Sequence, residues 1–197
     1  MHRNHLAIVA GVTLLTAALA ITGCAAATAS ATGTAAGSST STADAAQAPA
    51  ASQAHIMVYS IDSDGPNFRA IVTGAVGDYG PAVTVHPDGS VDPDHTSEME
   101  LRLTHGSFRL SISALDAKIV AAYRHWPSNV NTCSGSISVT APVPIVAGSG
   151  TGSYRGISGS FIVTGTIDEV DVKPVCDGTS KFLSQVIVLA GSGTVSS

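Results

Sequence analysis

Charge is scarce in this chain: 12% of its 197 residues are Asp, Glu, Lys or Arg, and acidic residues outnumber basic ones 14 to 9. So few charges exclude a charged coiled coil or an acidic disordered tail, and the acidic excess argues against nucleic acid as a partner. Aromatics are scarcer still. One Trp, four Tyr and four Phe cannot line a large aromatic site. Three cysteines occur, none in the paired spacing of a zinc site. No apolar run reaches the roughly 20 residues of a membrane-spanning helix. What is plentiful is small and β-branched: Ala, Ser, Thr, Val, and 20 Gly. Composition names no reaction, and no motif implies a cofactor or a metal.

Residues 1–23 are organised as an export signal. Arg3 gives the positive start, and Leu6–Ala20 is an uncharged, mostly aliphatic run. Ile21-Thr22-Gly23-Cys24 follows directly. This tetrad resembles the bacterial lipobox, in which the cysteine thiol receives diacylglycerol and signal peptidase II cuts before it. The resemblance implies lipidation at Cys24 and residence on the outer face of the bacterial cell membrane, with the membrane as a partner through the anchor. Two or three acyl chains hold a protein there stably, where one would not. The alternative is an ordinary secretory signal cut at Ala18-Leu19-Ala20.

Residues 24–54 are the lipidated cysteine and an Ala/Ser/Thr-rich tether. The stretch after Cys24 has one charge, Asp44, and one proline, Pro49. With no large apolar side chain it cannot offset the entropy of ordering. A loose chain of this length reaches about 30 Å. Ser/Thr-rich composition with Pro also resembles O-glycosylated stalks.

Residues 55–197 read as a single all-β domain. Strands are expected at His55–Ile61, Phe68–Val76, Ala82–His86, Met99–Thr104, Ser107–Leu115, Ser136–Thr140, Ser160–Ile167 and Phe182–Ala190. Gly, Pro and Asp clusters punctuate them. The pattern predicts an antiparallel barrel of about eight strands, with a β-sandwich as the alternative. The last strand, apolar on both faces, is expected to lie centrally. In the hairpin around His105-Gly106, Met99, Leu101, Leu103, Phe108, Leu110 and Ile112 share one buried face. A two-residue turn at His105-Gly106 sets Leu103 opposite Phe108 and Arg102 opposite Arg109. Residues 115–126 are the one candidate helix, with Leu115, Ile119, Ala122, Tyr123 and Trp126 at near-helical spacing and Pro127 as the stop.

With Cys24 lipidated, Cys133 and Cys176 remain. In an exported domain they pair most simply as a disulfide. On the chain-entropy view a bridge across that loop stabilises by about 4 kcal/mol.

Ala147-Gly148-Ser149-Gly150-Thr151 recurs as Ala190-Gly191-Ser192-Gly193-Thr194. No Lys-Ser/Thr follows and no helix opens, so this is no phosphate loop; the G-x-S-x-G spacing of a nucleophile elbow is also absent. Glycines here serve backbone geometry. The stretch Gly150-Thr-Gly-Ser-Tyr154-Arg-Gly156-Ile-Ser-Gly159 resembles the glycine-rich bend of the allene oxide cyclase/dirigent-type β-barrels. That family implies about eight antiparallel strands around a central apolar pocket. It delivers no catalytic residue onto a numbered position here, and none is assigned.

Four residues are candidates for ligand binding. Arg102 and Arg109, opposed on the outward face, could hold a carboxylate or phosphate. Tyr123 and Trp126 belong to the densest aromatic-polar cluster. The acidic turns Asp88, Asp92, Asp94, His95, Glu98 and Asp62-Ser63-Asp64-Gly65 lack the order of a calcium loop. Asp168, Glu169 and Asp171 read as a polar strand end. The leading function is a non-enzymatic binding module for an apolar or amphipathic envelope molecule, such as a lipid. The alternative is a surface structural or interaction protein with a filled barrel, and an isomerase or cyclase comes third. A cavity of some hundreds of Å³ marks the first and a packed interior the second.

Overall fold

The computed structural model describes residues 50–60, 68–93, 97–178 and 182–196. Among them eight strands form one antiparallel sheet: β1 (Ser52–Ser60), β2 (Phe68–Gly74), β3 (Asp78–Val85), β4 (Glu98–Leu103), β5 (Gly106–Ser111), β6 (Ser134–Pro144), β7 (Ser158–Asp171) and β8 (Phe182–Ser196). The order across the sheet is β5-β4-β3-β2-β1-β8-β7-β6. The sheet curls into an open barrel, and its two edge strands meet at the isolated bridge Leu110↔Ile145. One helix, α1 (Ser113–Tyr123), follows β5 at the end where β7 finishes. No helix among the described residues is long and apolar enough to cross a membrane.

Every expected strand is present in part or whole. The expected Phe68–Val76 ends at Gly74. Ser107–Leu115 ends at Ser111, because α1 opens at Ser113 and takes Leu115. The buried faces of β2, β4 and β5 are as the alternation predicts. In β2 Phe68, Ala70 and Val72 are buried while Arg69, Ile71 and Thr73 are exposed. β8 lies centrally, between β1 and β7. Several strands run longer than the sequence suggests. β1 opens at Ser52 rather than His55, and β6 continues through Pro142 to Pro144. Proline is tolerated in β6 because it is an edge strand, whose outward amides need no partner. The second glycine repeat is not a turn. It lies inside β8, where a Cβ on Gly193 would come within 1.9 Å of the Ser160 carbonyl oxygen, so only glycine lets β7 and β8 approach there.

The first glycine repeat closes the barrel. The loop after β6, ending in a short 3₁₀ turn at Gly152–Tyr154, runs beside β5. Val146 N donates to Arg109 O (2.8 Å), Thr151 N to Ser107 O (2.8 Å) and Ser153 N to His105 O (2.9 Å). In return Arg109 N donates to Ser149 Oγ and Ser107 N to Thr151 Oγ1, both at 2.9 Å. The open edge of β5 is thus satisfied by hydroxyls and loop amides rather than by a strand.

The interior is apolar and packed. Ile56, Val58, Met99, Leu101, Phe108 and Phe161 are buried at its centre. Leu115 of α1 inserts from one end, beside Gly165. The void that remains among Ile56, Met99, Leu110, Leu115 and Leu189 measures about 10 Å³.

The hairpin register differs from the two-residue turn at His105-Gly106. The turn is Thr104-His105, and Leu103 pairs with Gly106, Leu101 with Phe108 and Glu100 with Arg109. A shift by two residues leaves the faces unchanged but separates the two arginines. The helix is also displaced, spanning 113–123 rather than 115–126, with only Leu115 fully buried.

Candidate functional site

The inward phase of β7 continues past its apolar residues. Phe161, Val163 and Ile167 point inward, and the same alternation buries Glu169 (3% exposed) and Asp171 (2% exposed). Gln185 lies opposite Glu169 on β8 and is buried too. After α1 the chain tightens, with His125 N donating to Ala122 O and Trp126 N to Tyr123 O, each at 3.1 Å. This brings Trp126 back over the end of β7. Its ring occupies the space a side chain at Gly135 would fill.

The donors here converge on two oxygens. Trp126 Nε1 (2.8 Å) and Gly178 N (2.9 Å) both donate to Asp171 Oδ2. Gln185 Nε2 and Tyr123 OH (3.5 Å) both donate to Glu169 Oε2. The two carboxyl groups are themselves within hydrogen-bonding reach of each other. Asp171 Oδ1 and Gln185 Oε1 are buried without a partner. Burial, and then the Asp171 carboxylate beside it, push Glu169 up to about 7, against the opposing help of Gln185 and Tyr123. Burial and the neighbouring acids raise the Tyr123 phenol well above its ordinary range. The bridge Cys133–Cys176, with Cα atoms 5.3 Å apart, pins the same end, and Asp171 N donates to Cys133 O.

Of the four candidate ligand-binding residues, two meet here: the rings of Tyr123 and Trp126 lie 5.5 Å apart. Arg102 and Arg109 do not join them, nor each other. Arg102 Nε pairs with Glu100 at 2.7 Å, and Arg109 Nη1 reaches Glu98 Oε2 and Pro87 O, both at 2.7 Å. The expected like-charge opposition is therefore absent, because the turn forms one residue earlier. Glu169 and Asp171 are likewise not a solvated strand end; only Asp168 is exposed. The signal that places them was present, since they keep the inward phase of Ile167. The acidic stretch is dispersed: Asp88 accepts from Ser90, Asp92 pairs with His86 and Glu98 with Arg109. Asp94 and His95, and the Asp62–Gly65 turn, lie outside the described residues. No group of three or more His, Cys, Asp or Glu gathers among the described residues.

A third buried acid, Asp78, carries no sequence pattern that marks it. It sits at the opposite end, where β3 begins. Oδ1 accepts from Tyr79 N (2.7 Å), Thr104 N (3.2 Å) and Thr104 Oγ1 (2.5 Å). Oδ2 accepts from His105 N (3.0 Å) and Tyr154 OH (2.5 Å), with His105 Nδ1 at 3.1 Å. Burial acts to raise this carboxyl, but the hydrogen bonds from Thr104, Tyr154 and the backbone outweigh it and hold it well below the usual range. Asp78 ties the β2–β3 turn, the hairpin turn and the glycine-rich loop into one knot.

On the outer wall an open groove of about 700 Å³ crosses β1 to β4. Tyr59, Ile71 and Tyr79 stand exposed in it between Arg69 and Arg102. No family model matches the chain, and no curated protein and no solved structure matches it.

Proposed function

We propose that this chain is an exported, lipid-anchored envelope protein that works through contacts made by its outer wall, not through a molecule held inside the barrel. The observation that carries the reading is the contrast between an interior void of about 10 Å³ and an outer groove of about 700 Å³. A site for a drug-sized ligand needs roughly 300 Å³ or more. The groove offers two tyrosine rings and two guanidinium groups, the residue types favoured at protein contacts. Ile21-Thr22-Gly23-Cys24 supports the anchor, and the packed Cys133–Cys176 bridge suits an oxidising compartment. The eight antiparallel strands and the glycine-rich bend between β6 and β7 support kinship with the allene oxide cyclase/dirigent-type barrels. The filled interior weighs against a cyclase-like pocket.

The anchor is tested by Triton X-114 partitioning. Wild type is expected in the detergent phase, and Cys24→Ala in the aqueous phase; wild type in the aqueous phase would sink the lipoprotein reading. The filled barrel is tested by native mass spectrometry of the Cys24→Ala protein. A single mass without adduct is expected, and a lipid retained in stoichiometric amount would restore the binding-module reading.

A further inference from the structure

We propose that Glu169, Asp171 and Gln185 form a structural site for one hard divalent cation of the Ca²⁺ type at the helix end of the barrel. The donor set is two carboxylates and an amide carbonyl, all oxygen, which selects hard cations and disfavours zinc or copper. Three observations carry it.

The first is charge. Both carboxylates are almost fully buried, and no Lys, Arg or His among the described residues pairs with either. Lys173, two residues beyond Asp171, donates to Asn131 O instead. Buried carboxylates without a counter-charge are costly, and one divalent ion neutralises the pair.

The second is the orphaned oxygens. Asp171 Oδ1 and Gln185 Oε1 are buried with no donor, although native interiors leave few such atoms. Gln185 is placed in the cluster by its own amide, whose Nε2 donates to Glu169, so its free carbonyl belongs to the same group. A cation bound beside the two carboxyl groups would give such acceptors a partner.

The third is the division of labour within each ligand. Trp126, Gly178, Tyr123 and Gln185 donate to Asp171 Oδ2 and Glu169 Oε2, and none of them to Asp171 Oδ1. One oxygen of each carboxylate is thus clamped by an outer shell, the arrangement that orients metal ligands. Water would complete the coordination, as in other sites with few protein oxygens.

Trp126, the sole tryptophan, supplies the assay, because its indole is hydrogen-bonded to a ligand. The full-length protein, purified in detergent and stripped with chelator, is titrated with Tb³⁺ while exciting where only tryptophan absorbs. Sensitised Tb³⁺ emission is expected, and Ca²⁺ should displace it with a Kd on the order of 10⁻⁴–10⁻³ M, as in extracellular modules. Asp171→Asn and Glu169→Gln should each weaken binding by more than about tenfold. Trp126→Phe should abolish the emission and, by calorimetry, weaken Ca²⁺ binding, because the indole clamp on Asp171 is lost with the sensitiser. If the variants fail to fold, wild type alone decides: Ca²⁺ should raise its thermal midpoint and chelator should lower it. Absence of Ca²⁺-displaceable emission in wild type overturns the proposal, leaving a proton shared by the two acids as the neutralising charge. Emission that survives in both ligand variants also overturns it, since the ion would then sit elsewhere.

Discussion

Asp78 shows how much one side chain can organise. Its two oxygens hold the hairpin turn, the start of β3 and Tyr154 together, while Tyr154 packs edge-on against Phe108 with ring centroids 5.4 Å apart. Asp78→Ala would strand the buried Tyr154 hydroxyl and release the part-buried donors of the two turns, and is expected to cost about 3 kcal/mol in urea denaturation. The same residue sets an acid limit. Its folded carboxyl ionises below the unfolded value of about 3.9. Its contribution is therefore complete above that pH and is lost as the pH falls toward the folded value. Wild type should weaken steeply between about pH 4 and pH 2, and Asp78→Asn should flatten that slope. The arginines separate in the same way. Arg109 is partly buried on Glu98 and Pro87, so Arg109→Ala is expected to cost about 1–2 kcal/mol. Arg102→Ala, on an exposed pair, should change stability by less than about 1 kcal/mol. Phe108→Ala, in the core, should cost about 3–5 kcal/mol. Chemical denaturation of the three variants tests this order.

At the scale of elements, the seam between β5 and β6 is the unusual join. Two side-chain hydroxyls, Ser149 and Thr151, accept the amides of Arg109 and Ser107 that a neighbouring strand would otherwise take. Ser149→Ala should cost about 1 kcal/mol and speed hydrogen exchange at the Arg109 amide, leaving the β1–β8 ladder protected. If exchange rises everywhere instead, the seam is part of the global core. What the chain reveals beforehand follows from the same distinction. Faces are local: alternation in β2, β4 and β5 fixes which residues are buried, and a slip of two residues does not alter it. Register is not local. The turn falls at Thr104-His105 because Asp78, more than twenty residues away, binds both of those amides. The acids on β7 were half visible, since their phase is inward. Their meaning needs Gln185 from β8 and Tyr123 and Trp126 from the end of α1 and the turn after it.

For the molecule as a whole, the helix end is closed by few covalent or packed elements. Leu115 enters the core, but the rest of α1 is only partly buried. The Cys133–Cys176 bridge joins the approach to β6 to the segment beyond β7, enclosing 43 residues of separation. Reduction is expected to lower stability by about 4 kcal/mol on the chain-entropy view. A Cys133→Ser/Cys176→Ser variant compared with wild type by denaturant titration tests it, and a loss under 1 kcal/mol would mean that packing alone holds this end.

The pairing of β1 with β8 carries a consequence in time. Ser52 lies opposite Val195, so the middle of the sheet is built from the first and last strands of the domain. No early segment can complete the barrel on its own, and contacts of such sequence separation form slowly. The sheet therefore cannot close until β8 is present to join β1 and β7. The export proposed above would need an open chain, and a fold whose keystone is the last strand of its domain is compatible with that. Removing residues 182–197 should leave the remainder unfolded rather than trimmed, with no cooperative thermal transition.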